Sequence, residues 1–371
     1  MLQIPPEIKA KVPKGILKLL PMQDSAVKVR NALRRAFTPK QVAGETDQRW
    51  AWEQCGNIYK QLGRPYEAIF ILEALYERMM EYQDQARKRV HKGVPLFWLY
   101  DCHREIGNPV LAKRYLMLAL AEDAITDKGR IVPAKTGTYH RCVWYGMPED
   151  KYKEYASRVW VLTKQHRRVS QFPEWLLQEV DQEWMTEQPS QSETLLCPIN
   201  PYFVRFLLDG LGKSKGKSLE RLAHYLLSCI AGCRARMRLR SRSTDYDVLG
   251  VVEGAFTDFR SEVGRYFLCE CKDWTSPADF SALAKFCRVL DSTKTKFGIL
   301  FSKNGITGTA RTTDAERELL KVFQDRGVVI IVFTEADLKQ LARGANLITM
   351  LREKYEQVRF DLTLGTARQN R

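Results

Sequence analysis

No run of about 18 consecutive apolar residues occurs in this chain, so no membrane-spanning helix is expected. The opening segment, MLQIPPEIKAKVPKG, lacks the apolar core of a secretory leader, and a cytoplasmic protein is expected. None of the nine cysteines (Cys55, Cys102, Cys142, Cys197, Cys229, Cys233, Cys269, Cys271 and Cys287) sits in a CxxC pair. Their number is odd and most lie in apolar stretches, which argues for reduced thiols and against a zinc site or a disulfide frame. No zinc-finger or clear helix-turn-helix pattern is present, so no base-reading element is visible. Negative charge is also short. Against 59 Lys and Arg stand 44 Asp and Glu, a formal net charge of +15. That balance calls for a polyanionic partner, nucleic acid before an anionic membrane surface.

What is present divides by pattern. Residues 1–45 form a basic segment broken by Pro and Gly, read as an arm with one short helix from Asp24 to Phe37. Residues 46–186 read as helical, with an internal repeat. Trp52, Cys55, Gly56, Tyr59, Gly63 and Ala68 set a frame. It recurs 44 residues later at Leu96, Leu99, Tyr100, His103, Gly107 and Ala112, and continues to Leu116 and Ala119. GRPYEAIFILEAL and GNPVLAKRYLMLAL align turn for turn. Small residues would let paired helices approach, and the Gly would end the first helix. A plain helical bundle is the competing account. A further helical stretch is expected from Lys151 to Met185. Residues 187–200 are mostly polar and read as a linker. Beyond them, residues 201–362 show strands separated by helices, an α/β layer with a mixed sheet. Residues 363–371 read as a disordered tail.

The chemistry-bearing residues lie on two adjacent candidate strands, STDYDVLGVVEG and RYFLCECKDW. Strand alternation places Glu270 and Lys272 on one face and Cys269 and Cys271 on the other. If the strands form an antiparallel hairpin, Asp247 comes beside Glu270. Two converging carboxylates suit a hard divalent cation, and a neighbouring lysine suits a phosphate oxygen or a nucleophilic water. A salt bridge on a solvated face is the bland account. It fits poorly with the apolar residues Tyr266, Phe267, Leu268, Cys269 and Cys271, because charges within a buried strand are costly.

Just before these strands, Arg234, Arg236, Arg238, Arg240 and Arg242 alternate with Ala235, Met237, Leu239 and Ser241. A strand would gather these guanidiniums on one face, ready for a phosphate backbone. Protection of an edge strand from aggregation is the alternative. Lys213, Lys215 and Lys217 in KSKGK form a second basic element.

Residues 218–342 resemble the restriction endonuclease-like PD-(D/E)XK superfamily, in its Mrr-like branch. SLERLAHYLL resembles the opening helix, DYDVLG the strand with the first aspartate, CECKDW the (D/E)XK strand, and GILFSKNGIT and IIVFTEADLKQLA the closing elements. The chain has Tyr246-Asp247 where the superfamily name has Pro-Asp. Asp245 is two residues from Asp247 on the same strand face and is the other candidate ligand. Asp247 fits better because Val248 and Leu249 follow it. Residues 47–125 resemble tetratricopeptide repeats, although the period exceeds the usual figure of about 34.

The nuclease resemblance implies Mg²⁺- or Mn²⁺-dependent phosphodiester hydrolysis. Asp247, Glu270 and the backbone carbonyl of Cys271 would hold the cation, with Glu220 a candidate further ligand. Lys272 would orient the attacking water and stabilise the phosphorane. Glu220 reads equally as an ordinary acid in a first helical turn, and His224 as a packed helix residue. The expected fold class is therefore α + α/β: an all-helical repeat-like domain followed by a restriction endonuclease-like α/β domain. The expected function is a DNA endonuclease, by architecture a prokaryotic defence effector regulated by a protein partner or self-association through its helical domain. An RNA-cutting effector and an inactive nucleic-acid-binding scaffold are the alternatives.

Overall fold

In the computed structural model the described residues are 4–20, 25–130, 148–167, 171–180, 199–230, 232–240, 245–252, 263–307 and 314–360. Most of the expected linker, the expected tail, Cys142 and Cys197 lie outside them. The chain divides into two compact units, Met1–Met185 and Thr186–Arg371.

Among the described residues the first unit is helical. It contains α1 (Pro6–Lys11), α2 (Lys14–Leu17), α3 (Ala26–Ala36), α4 (Pro39–Val42), α5 (Asp47–Gln61), α6 (Pro65–Ala86), α7 (Gly93–Glu105), α8 (Pro109–Thr126), α9 (Glu149–Gln165) and α10 (Pro173–Val180). The segment read as an arm is packed instead: Ile8, Val12, Ile16 and Leu20 are buried. Of its two short helices, α1 has Pro6 as its first residue, where the missing N–H costs nothing, and α2 follows Pro13.

The two long hairpins repeat one corner. Gly63 and Gly107 both take left-handed backbone, at φ +69° and +74°. Such a residue closes a helix, and Pro65 and Pro109 then open the next in its first turn. The Asn108 side chain caps α8 by accepting the Leu111 N–H. Between the long helices the Trp52 Nε1–H donates to the Ile71 carbonyl at 3.0 Å.

Lys92 and Glu122 are both fully buried, with Nζ–Oε1 at 2.6 Å. Lys92 also donates to Gln83 Oε1 and the Val90 carbonyl, and Arg89 reaches Glu122 from the other side. Lys92 and Arg89 together hold the Glu122 carboxyl down at about 2 despite its burial.

The second unit contains α11 (Pro201–Leu208), α12 (Lys217–Ser228), β1 (Cys233–Arg240), β2 (Asp245–Val252), β3 (Tyr266–Lys272), α13 (Phe280–Thr293), β4 (Phe297–Ser302), α14 (Asp314–Arg326), β5 (Val329–Phe333), α15 (Glu335–Leu341) and α16 (Leu347–Arg359). The five strands lie in sequence order in one mixed sheet. The β1–β2 and β2–β3 pairs are antiparallel, and β3–β4 and β4–β5 are parallel. Overall this is the mixed helix-and-sheet composition expected, with the sheet in the C-terminal half.

Period-two alternation sorts the core onto two faces. Leu268, Leu300 and Ile330 meet Phe286, Leu290, Leu319 and Val322 of α13 and α14. On the opposite face Phe267 stacks edge-on against Phe297, which also meets Tyr355 of α16. The helix α12 packs on β1, β2 and β3. Among the described residues no helix is long and apolar enough to cross a membrane.

Candidate active site

The site begins with register. Val248 pairs with Cys269, Leu249 with Leu268 and Gly250 with Phe267. Val248–Cys269 is the last paired step, and the same register carried one residue further sets Asp247 against Glu270. The Asp247 side chain meets β3 directly, its Oδ2 accepting the Cys271 N–H at 2.7 Å. Lys272 shares the Glu270 face, and its Nζ donates to Glu270 Oε1 at 2.6 Å. The side chains of Glu270 and Lys272 are each only 14% exposed. Along β3 burial is complete from Phe267 to Cys269 and falls to half-burial from Glu270 to Lys272. The charged residues therefore sit where the core ends, at the carboxyl ends of the parallel strands. Open α/β sheets bind ligands at that edge.

Burial is the main force on Asp247. Together with the neighbouring Glu270 and Glu220 carboxylates it lifts the carboxyl from 3.8 to about 6. The Cys271 N–H and the Lys272 ammonium pull the other way without prevailing. The carboxylates of Asp247, Glu270 and Glu220 thus act on one half-buried corner that also holds the Lys272 ammonium. A donor set of that kind is relieved by a second positive charge, which fits a cation bound through Asp247 and Glu270 oxygens. Cys269 and Cys271 lie on the opposite strand face from Glu270 and Lys272, and burial raises both thiols well above their usual value. The fit has a limit. Among the described residues no three His, Cys, Asp or Glu side chains converge as a metal cluster. Glu220 in the first turn of α12 acts on Asp247 through charge, and a complete cation shell needs backbone oxygen or water besides the two carboxylates.

The remaining expected residues are placed as follows. His224 is buried, its Nε2 3.1 Å from the Ala235 carbonyl, and burial lowers its pKa to about 4. It is a packing residue that joins α12 to β1. Arg234 pairs with Val251 and Arg236 with Leu249. Pairing puts both arginines on the Asp247 face of the sheet. Arg234 is half-buried and Arg236 exposed. The backbones of Arg238, Arg240 and Asp245 belong to β1 and β2, but their side chains lie outside the described part, as does all of Arg242. Lys213, Lys215 and Lys217 are exposed. Their loop is tied to the motif strand, because the Gly212 N–H donates to Asp273 Oδ2 at 2.8 Å.

Two residues at the strand exit were not singled out in the sequence. Asp273 makes that tether, and Trp274 stands 5.0 Å from Lys272 Nζ, measured to its ring centroid. A lone tryptophan between polar residues at the end of a charged strand was the available signal.

Comparison with models of known families, with curated proteins and with solved structures finds no match for this chain.

Proposed function

We propose that this chain is a divalent-metal-dependent endonuclease that hydrolyses phosphodiester bonds in nucleic acid, with DNA favoured. The observation that carries the reading is the approach of Asp247 and Glu270 on one hairpin, with Lys272 on the same face and the Asp247 carboxyl raised by burial first and by the neighbouring acids second. Asp247 and Glu270 would hold Mg²⁺ or Mn²⁺, with the Cys271 backbone carbonyl completing the protein ligands. Such a cation, when bound, neutralises phosphate charge and lowers the pKa of water. Lys272 holds a water or a non-bridging phosphate oxygen beside the two carboxylates. In the hydrolysis the water oxygen bonds to phosphorus and the bond from phosphorus to the leaving alcohol breaks. The water proton ends on that alcohol. Arg234 and Arg236, on the strand beside Asp247, would grip flanking phosphates.

The paired helical hairpins of the first unit support a tetratricopeptide-like platform for a protein partner or a second copy. The combination fits a regulated effector, with prokaryotic defence as the setting. The deciding experiment is incubation of purified protein with labelled DNA and RNA, each as single and double strand, under Mg²⁺, Mn²⁺ or EDTA. Metal-dependent cutting of DNA is expected, lost in Asp247→Ala and Glu270→Ala with binding retained. Cutting of RNA alone would select the RNA-cutting alternative. Binding without cutting under any metal would leave a nucleic-acid scaffold.

A further inference from the structure

Trp274 leaves the sheet two residues beyond Lys272 and is 42% exposed. This exposed indole lies beside the half-buried Glu270 and Lys272, where it can meet an apolar part of a ligand held at those charges. Its position is fixed on several sides. Lys272 Nζ lies over the ring, 5.0 Å from its centroid. The Asn304 Nδ2 donates to the Trp274 carbonyl at 2.7 Å. Asp273, the preceding residue, accepts the Gly212 N–H. At the far end of the loop Ala278 bridges to Ile306, with the Ala278 N–H donating to Gly305 and the Thr307 N–H to Ala278. These hydrogen bonds fix the backbone that carries the ring, and a loop fixed in advance loses little freedom when a ligand meets it.

The ligand chemistry follows from the two groups the site sets side by side, an ammonium and a flat aromatic face. A nucleotide is an anion joined to a flat ring. Lys272 suits the anion, and Trp274 suits the ring. Within an intact duplex both faces of every base are covered by neighbours, so no base face is free for the indole. An unpaired or extruded base has one. The Asp273–Gly212 tether also brings the loop of exposed Lys213 and Lys215 against the Trp274 loop, a place for the phosphates next to a stacked base.

We infer that Trp274 is a stacking platform for an unpaired nucleobase beside the phosphate held at Lys272, so that the substrate is DNA single-stranded at the point of cutting. This rests on the nuclease reading of Asp247, Glu270 and Lys272. The test is equilibrium binding by fluorescence anisotropy with EDTA present, so that no cutting is involved. The full-length protein is titrated onto a labelled single-stranded oligodeoxynucleotide, and a relaxed, covalently closed circular duplex serves as competitor. Trp274→Ala is expected to weaken single-strand binding by about 5- to 150-fold. Trp274→Leu, which keeps apolar bulk but loses the flat face, should behave like Trp274→Ala, while Trp274→Phe stays within about threefold of wild type. Competition by the closed duplex should be the same in all. Single-strand binding that is unchanged in Trp274→Ala and Trp274→Leu overturns the inference. So does an equal loss for single strand and closed duplex, or a wild-type protein that binds no single strand. The two readings fail separately: wild type that stacks single strands but cuts nothing defeats hydrolysis alone, and unchanged binding in a cutting enzyme defeats the platform alone.

Discussion

At the residue scale the informative group is Asp247, a carboxyl whose folded value of about 6 lies above its ordinary 3.8. The proton is held more tightly in the folded state. The stability this supplies is complete below pH about 4 and is lost as pH rises through about 6. Metal-free wild type should therefore lose on the order of 1–2 kcal/mol across that interval. Asp247→Asn keeps an acceptor for the Cys271 N–H and removes the charge. It should flatten this part of the stability profile and be the more stable protein at pH 7, as measured by urea unfolding with EDTA. An equal slope in both proteins would mean another group titrates there. Lys272→Ala should lower turnover by roughly 100- to 10,000-fold while cation affinity by calorimetry stays near wild type. Loss of cation binding in a folded variant would make Lys272 a scaffold for Glu270 instead. Glu270, Lys272 and Asp247 were legible because alternation and hairpin pairing are short-range rules. The Trp274 contact was not, because the loop path that sets it depends on Gly212 and Asn304, far along the chain.

At the element scale β1 carries a prediction of its own. Arg234 and Arg236 lie in register with β2 on the Asp247 face. Replacing both with Gln should weaken binding to all DNA sequences alike and reduce the slope of log affinity against log salt by about one unit per lost phosphate contact. An unchanged slope with more light scattering would favour edge protection, since among the described residues β1 is the first strand of the sheet and has a neighbour only in β2. The strands and the α13 and α14 helices were readable because their apolar period is sustained. Other helices were not. Those before residue 20 span 6 and 4 residues, too short to show a period. In α16 the buried residues Leu347, Ile348, Met350 and Leu351 all fall in the first turns, and the rest is polar. The helix α11 had a usable signal, Asn200 capping ahead of Pro201, which the linker reading passed over.

At the scale of the whole molecule each unit closes a core of its own. Met1–Met185 buries Trp52, Leu72, Leu99 and Leu118, and Thr186–Arg371 buries Phe267, Ile299, Leu290 and Ile331. Expressed separately, each should unfold in a single cooperative calorimetric transition, and the second should retain metal-dependent cutting. Absence of a transition in either fragment would show that it needs the other. The unit boundary was legible only as a change of pattern, since composition marks a polar stretch but not what the flanking cores bury. Within the first unit the twin corners at Gly63 and Gly107 recur at the same step of 44 residues. A corner that the chain builds twice from the same residues is one that a further inserted hairpin could build again. The first unit is thus open to growth by in-phase duplication, since an added hairpin would meet the same kind of corner at each end and leave the core of the second unit untouched.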